Sequence, residues 1–432
     1  MAYYLQKLGV PYDLFEASAS VGGLIQSTLK IAYQLELGPS FLQMTEEMEE
    51  LLLELKLQDQ VIPPVSTAQH GYLWKENTLY ALPFTPQEAL QLPFLAEQTR
   101  QLLTQEEQPG PDHTSCETVS QYFRKRYGQE VLDYLVKPLV AGFHGGDADV
   151  LLVEKTLPVV KELEQTYGSL SRGLAQAPHT FRKQIFALRE GLQTLPEAIA
   201  SKLISLHLEH RVEMVHRTRG KYFLSIAHDL ESLSDEEYDA VVMALPAQPA
   251  AELLNYVAPG MAAALLNVNY ASMTVVHTVY RQTDVTQELE GLGALHSSKE
   301  NMFSLGSFWT SCVFPHCSPR NEVMFTTLVC CDSINTAGQL ARTEILERVH
   351  QELKQQYAIT ADTPVFQHLH AWPQAIPQAD VFIQDVHEMV AALEQEQLYG
   401  CTNWLAGPSV SACVRYAKNL AQKIYSQRSS IL

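Results

Sequence analysis

The chain has 432 residues, enough for two or three domains with sizeable cores. Its 46% hydrophobic and 18% charged content is that of a globular protein. The formal charge of -19, from 30 basic and 49 acidic residues, argues against nucleic acid and against electrostatic adhesion to anionic lipid. No apolar run reaches the 18 or so residues of a membrane span, and no basic stretch opens a signal peptide. Seven cysteines, an odd number with no CxxC, read as reduced thiols of a cytoplasmic protein. The fifteen histidines show no ligand spacing, so no metal site is expected.

In chain order, residues 2–9 read as an amphipathic helix closed by Gly9, and 12–15 as a short buried strand ending on Glu16. An acid closing the second strand of a nucleotide-binding unit bonds the adenosine ribose, about 20 residues after a glycine-rich phosphate loop. Counting back from Glu16 places that loop before Met1, so Met1 is expected to be an internal methionine of a longer product. Gly22-Gly23 allows close backbone approach to a ligand, though it also suits a simple turn. Residues 27–37 predict two short strands, 45–58 an acidic amphipathic helix, and 70–84 a hairpin turning at Glu76-Asn77.

From 86 to 137 the pattern is helical, interrupted by an exposed loop at 105–115 and resuming with a capping signal before Tyr127. The three glycines of 137–147 predict a buried loop near a ligand. A helix is expected from 189 to about Leu206, with strands at 211–215 and 221–227. Residues 238–247 carry the strongest strand signal, an apolar β-rich run stopped by Pro246, as in a buried parallel strand. Segments 272–281, 302–309 and 322–331 predict a separate antiparallel sheet, and 340–357 a helix. A strand at 397–401, a turn-rich loop at 402–410 and a helix over 411–426 complete the chain.

These motifs, taken together, resemble the oxygen-dependent protoporphyrinogen and coproporphyrinogen oxidases among the amine-oxidase-like flavoproteins. The carrying stretches are 14–25, 38–42, 137–147, 191–198, 238–247, 372–378 and 400–424. Gly191-Leu-Gln-Thr-Leu-Pro-Glu197 and Trp372-Pro-Gln-Ala-Ile-Pro-Gln378 are the more specific pair.

The resemblance implies an α/β fold. A Rossmann-like, three-layer FAD domain, without its first strand and glycine-rich loop, would be assembled from 1–65, 190–260 and 370–432. A mixed-sheet substrate domain would use 66–85 and 261–369, and a helical lobe 86–189. It implies FAD, a porphyrinogen substrate with O2 as acceptor, possible peripheral contact with the inner membrane, and a possible homodimer.

Cofactor contacts carried over are Glu16, Gly22, Gly23, Leu24, Val215, Trp372, Asn403 and Val410. His70, Gly142, Phe143, His144 and Phe308 would meet the substrate, with Phe303 and Trp309 as further lining aromatics. No catalytic side chain is implied, because the hydride passes to the flavin. Four positions depart from the family pattern: the phosphate loop is absent, Thr402 replaces a glycine, Ala412 an acid, and Gly71 an arginine. Their clustering keeps open a paralogue that binds porphyrin or partners without tight FAD. Oxidation of coproporphyrinogen, of an amine or of a carotenoid stays open as well.

Overall fold

The structure, a computed structural model, describes residues 1–68, 70–104, 116–177, 184–227, 233–330 and 340–429. The expected exposed loop at 105–115 lies outside the described residues.

A seven-stranded sheet dominates the middle of the molecule. Its spatial order is Phe366–Pro377, Tyr270–Arg281, Glu322–Cys330, Gly306–Phe308, Gly293–His296, Gly71–Lys75 and Thr78–Ala81. The sheet is mixed rather than purely antiparallel, because Gly293–His296 pairs in parallel with Gly71–Lys75. The edge hairpin turns where expected: Glu76 and Asn77 both have positive φ, 49° and 60°, the backbone of a tight primed turn.

Strand alternation gives the sheet two different faces. Val276, Tyr280, Phe325 and Val329 project to one side and pack on Ile345, Val349 and Leu353 of the helix Arg342–Tyr357. The opposite side is read from the register. Trp372, Met273 and Cys330 form one row; His370, Val275 and Leu328 the next; His368, His277 and Thr326 the third. This second face turns toward the N-terminal segments.

Two short parallel ladders lie elsewhere, Leu14–Phe15 with Leu206–His207 and Val241–Met243 with Leu398–Gly400. The strong strand signal at 238–247 therefore resolves into three paired residues. Pro246 caps a helix, Ala247–Leu254, instead of ending a longer strand. The hairpin Arg211–Thr218 and Lys221–Ala227 forms as expected and gains a third strand, Leu233–Tyr238. The class is α/β, as anticipated.

Two expectations need correction. Residues 137–147 are not a loop: Lys137–His144 is helical, with Gly145 at φ 62° as its left-handed cap. The helix runs on without a break from a π-helical turn, Leu132–Val136. Pro138 follows just after that widened turn, a usual place for a residue that cannot donate to the ladder. Gly142 is needed because a β-carbon there would stand 2.6 Å from Leu295 Cδ2. The helix expected from 189 to 206 is confined to Thr194–Ala200, and Leu206 already belongs to a strand. The capping signal near 115 is a full capping box at Thr118 and Gln121, starting the helix Val119–Val131.

Candidate cofactor and substrate site

The strand Leu14–Phe15 delivers Glu16 to the end of its ladder. The Glu16 N–H donates to His207 O at 2.9 Å and its carbonyl accepts from His210 N at 2.9 Å. Its Oε1 accepts the Ser18 N–H at 2.7 Å. Four residues further on, the chain turns through Gly22 (φ 115°) and Gly23 (φ 56°), closed by Ile25 N donating to Gly22 O at 2.9 Å. A β-carbon at Gly22 would meet Ile25 O at 2.7 Å and Pro196 Cγ at 3.3 Å. At Gly23 nothing lies within 4 Å, so this backbone is open to a close partner. The Leu24 carbonyl packs directly on Gly38, where any β-carbon would overlap it. The glycine turn is thus wedged between Gly38 and the Gly191–Glu197 segment.

Behind the turn sits a buried polar chain that sequence reading missed. Glu36, 7% exposed, ends the strand Tyr33–Glu36. Its Oε2 accepts from Ser27 Oγ at 2.5 Å and its Oε1 from Leu192 N at 3.1 Å. Ser27 Oγ in turn accepts from Gln193 N at 3.1 Å, and Ser27 N donates to Gln193 Oε1 at 3.2 Å. On the other side, His277 Nε2 bonds the Glu36 carbonyl at 3.1 Å, while its Nδ1 pairs with Thr326 Oγ1 at 3.1 Å and Thr326 with Thr310 at 2.5 Å. Burial pushes the Glu36 carboxyl up to about 7 and pulls the His277 imidazole down to about 3.

The rows of the second sheet face lie between two crossings. At one crossing, Trp372 Nε1 donates to Leu37 O at 2.6 Å and the His370 ring meets Trp372 edge-on at 4.5 Å. At the other, the end of the helix Lys137–His144 comes down on the sheet. A β-carbon at Gly145 would stand 3.0 Å from both Ala271 Cβ and Met273 Sδ. Gln378 Nε2 holds the His144 carbonyl at 2.9 Å. Burial draws the His144 imidazole down to about 4. Leu328, His370 and Phe308 are only half-buried among buried neighbours, and the buried His370 Nε2 has no hydrogen-bond partner among the described residues. Phe308 stacks obliquely on Phe41 at 5.3 Å.

The structure therefore gathers Gly22, Gly23, Leu24 and Trp372 around Gly38 and Leu37, with Phe308 in the same apolar cluster as Trp372. It does not bring every substrate candidate to that face. Phe143 is 55% exposed. His70 lines a separate cavity of about 430 Å³ with Leu79, Leu82, Glu88 and Leu92, at the sheet's hairpin edge. Val215 is 1% exposed and core-packed, leaving only its backbone for a ligand. Asn403 opens the short helix Asn403–Ala406, and Val410 the 20-residue helix Val410–Ser429. Between the parallel ladder and that long helix, the buried Thr402 Oγ1 has no partner among the described residues. Among those residues, too, no cluster of three or more His, Cys, Asp or Glu is placed to hold a metal, and no helix is long and apolar enough to cross a membrane.

An open positive-φ glycine backbone, an acid closing a parallel strand and a long helix starting beyond a second parallel ladder fit a dinucleotide cofactor. Known proteins point the same way. Residues 1–422 match the family model for flavin-containing amine oxidoreductase. The chain is 26% identical to the mitochondrial protoporphyrinogen oxidase of Nicotiana tabacum, over all of this chain and 93% of that one. It is also 26% identical to the coproporphyrinogen III oxidase of Staphylococcus aureus, over 91% and 89%. Cyclohexylamine oxidase from Brevibacterium oxydans superposes at TM-score 0.72 with 13% identity, covering 99% of this chain and 96% of that one. The chain belongs to the flavin-containing amine oxidoreductases. It is a flavoprotein oxidase, and its cofactor is FAD.

Proposed function

We propose that this flavoprotein oxidises a porphyrinogen to a porphyrin, with protoporphyrinogen IX as substrate and O2 as final acceptor. The observation that carries the reading is the near-full-length match to relatives named for two porphyrinogen oxidations. Bound FAD would accept two electrons in each of three cycles; the chain's own residues bind, orient and exclude water. Glu16 would hold the ribose, the Gly22–Leu24 backbone the pyrophosphate and ribityl side, and Trp372 would pack near the ring. Asn403 and Val410 would present helix-start N–H groups, and the unpartnered Thr402 hydroxyl is a spare donor beside them.

The sheet face between the crossings suits a flat apolar substrate. The half-buried Leu328, Phe308 and Trp372 would supply apolar surface, and burial keeps His277 neutral at physiological pH. His144 and Gly142 would complete the enclosure from the helical side, whereas His70, in its separate cavity, is left out of it. The same reading assigns FAD to segments 1–65, 190–260 and 370–432, substrate to 66–85 and 261–369, and a helical lobe to 86–189, supported by apolar clusters that fall largely within the last two. It also makes the protein cytoplasmic, with exposed Leu139, Phe143 and Val150 available to a membrane surface.

A substrate comparison tests it. The FAD-loaded protein is offered protoporphyrinogen IX and coproporphyrinogen III in separate reactions, with porphyrin fluorescence and O2 uptake followed together. Faster turnover of protoporphyrinogen is expected. Preference for coproporphyrinogen replaces the substrate assignment, and inertness toward both refutes the function.

A further inference from the structure

We infer that Gln378 is a positioning residue for the substrate: its side-chain amide clamps the end of the helix Lys137–His144 onto the strand that carries Trp372, and so sets the face on which the porphyrinogen lies. This rests on the proposed reading of that sheet face as the substrate site.

The last carbonyls of a helix have no partner within it. His144 O is one of them, and Gln378 Nε2 donates to it at 2.9 Å. The same nitrogen donates to Ile376 O at 3.0 Å. An amide nitrogen carries two hydrogens, so one serves each carbonyl, and the pair fixes which end of the amide faces them. The backbone beneath is held as well. Gln378 follows directly on the strand Phe366–Pro377, and its N–H donates to Asn269 O at 2.8 Å, at the foot of the neighbouring strand Tyr270–Arg281. One side chain therefore joins the helix end to the Trp372 strand.

The fit is close. A β-carbon at Gly146 would stand 2.0 Å from Gln378 Oε1 and 3.1 Å from its Cδ, so the amide lies against a backbone that glycine alone leaves bare. One residue earlier, Gly145 seats on Ala271 and Met273, and its carbonyl accepts from Cys330 Sγ at 3.5 Å. Met273 and Cys330 share a row with Trp372. The clamp thus holds the helix end over the row that carries the proposed flavin contact.

Other bonds survive without it. Leu152 N donates to Ala379 O at 2.8 Å, and Asp380 accepts from Asn269 Nδ2 at 2.8 Å and caps Phe382 N at 3.0 Å. They keep the helical segment attached one residue beyond Gln378. What the loss of the amide releases is the helix end itself, with His144 and Gly142. A wall free to shift weakens substrate binding more than it slows electron transfer to FAD, whose proposed contacts lie on other segments.

The test uses FAD-loaded wild type, Gln378→Met, Gly146→Ala and the double variant. Methionine keeps the side-chain length and removes the donors; alanine at 146 displaces the amide from the other side. Steady-state turnover of protoporphyrinogen IX gives KM and kcat, while flavin absorption and thermal melts report cofactor and fold. Each single variant should raise KM about tenfold, with a smaller change in kcat and unchanged flavin bands. Because both act through one contact, the double variant should be no worse than the poorer single. Should one variant not fold, the other carries the test alone. An unmoved KM in a folded variant, or effects that add in the double, overturns the clamp while leaving the substrate reading intact. No porphyrinogen turnover by wild type overturns both.

Discussion

At the scale of single residues, the site depends on atoms with one permitted partner. Trp372 Nε1 reaches the Leu37 carbonyl at 2.6 Å across the interface between the sheet and the N-terminal hairpin. Trp372→Phe keeps most of the ring contact but leaves a buried carbonyl unpaired. A loss of about 1–2 kcal/mol in urea denaturation is expected; an unchanged midpoint would remove this bond from the account. Gly38 is more severe, because its crowding atom is a backbone carbonyl and cannot rotate away. Gly38→Ala should displace the Leu24 turn and abolish FAD retention, read as loss of the flavin absorption bands from the purified protein. Retained flavin would mean that the turn is not a cofactor contact. Glycines 22 and 23 were legible in the sequence because adjacent glycines mark a turn. Glu36 was not. Alternation in Tyr33-Gln-Leu-Glu-Leu37 puts Glu36 on the outer side with Gln34, yet Leu35, Glu36 and Leu37 are all buried. Only the packing of 191–193 on one side and of the sheet on the other makes that strand two-faced.

At the scale of elements, the helix Lys137–His144 shows why a glycine-rich stretch misled. Glycine and proline usually break helices, and here each has a positional use: Pro138 just after the π-helical turn Leu132–Val136, Gly142 against Leu295, Gly145 as cap against Ala271 and Met273. The last of these combines a left-handed φ with steric contact. Gly145→Ala should cost about 1–2 kcal/mol, seen as a lowered Tm, and should shift the helix end that carries His144. An unaltered Tm would show that the cap has slack. The hairpin at 70–84, by contrast, was readable to the residue, since Asn at a primed turn and flanking β-formers are purely local signals. Parallel partners were not readable: nothing within Leu398–Gly400 names Val241–Met243 as its neighbour.

At the scale of the whole molecule, buried ionisable groups give the fold a pH signature. His277 has a folded value of about 3, below the roughly 6.5 of an unfolded histidine. Its contribution is complete above 6.5 and is lost as pH falls toward 3, because the unfolded chain takes up a proton the folded one refuses. Glu36 works in the opposite sense: its raised value makes the folded state the better proton acceptor between about 4.5 and 7, so acid relieves a buried charge. Denaturant melts at pH 7, 5.5 and 4.5 should show His277→Asn gaining on wild type as pH falls, by up to about 1.4 kcal/mol per unit. A constant difference between the two proteins would mean that His277 titrates normally. Composition already gave the class and the family motifs gave the cofactor, but this balance needed the burial of each side chain.

The segment Trp372-Pro-Gln-Ala-Ile-Pro377 has a role apart from the flavin. It lies on the outermost strand of the seven-stranded sheet, whose far side has no neighbouring strand among the described residues. Pro373 and Pro377 supply no N–H, and the pairing with Tyr270–Arg281 slips by a bulge beside them, between Ala271 and Met273. A bare edge of this length would be a template for another chain, and prolines and bulges are how natural sheets blunt such edges. The same six residues that bring Trp372 to Leu37 thus also deny a second copy the chance to continue the sheet, a safeguard of solubility written into a binding motif.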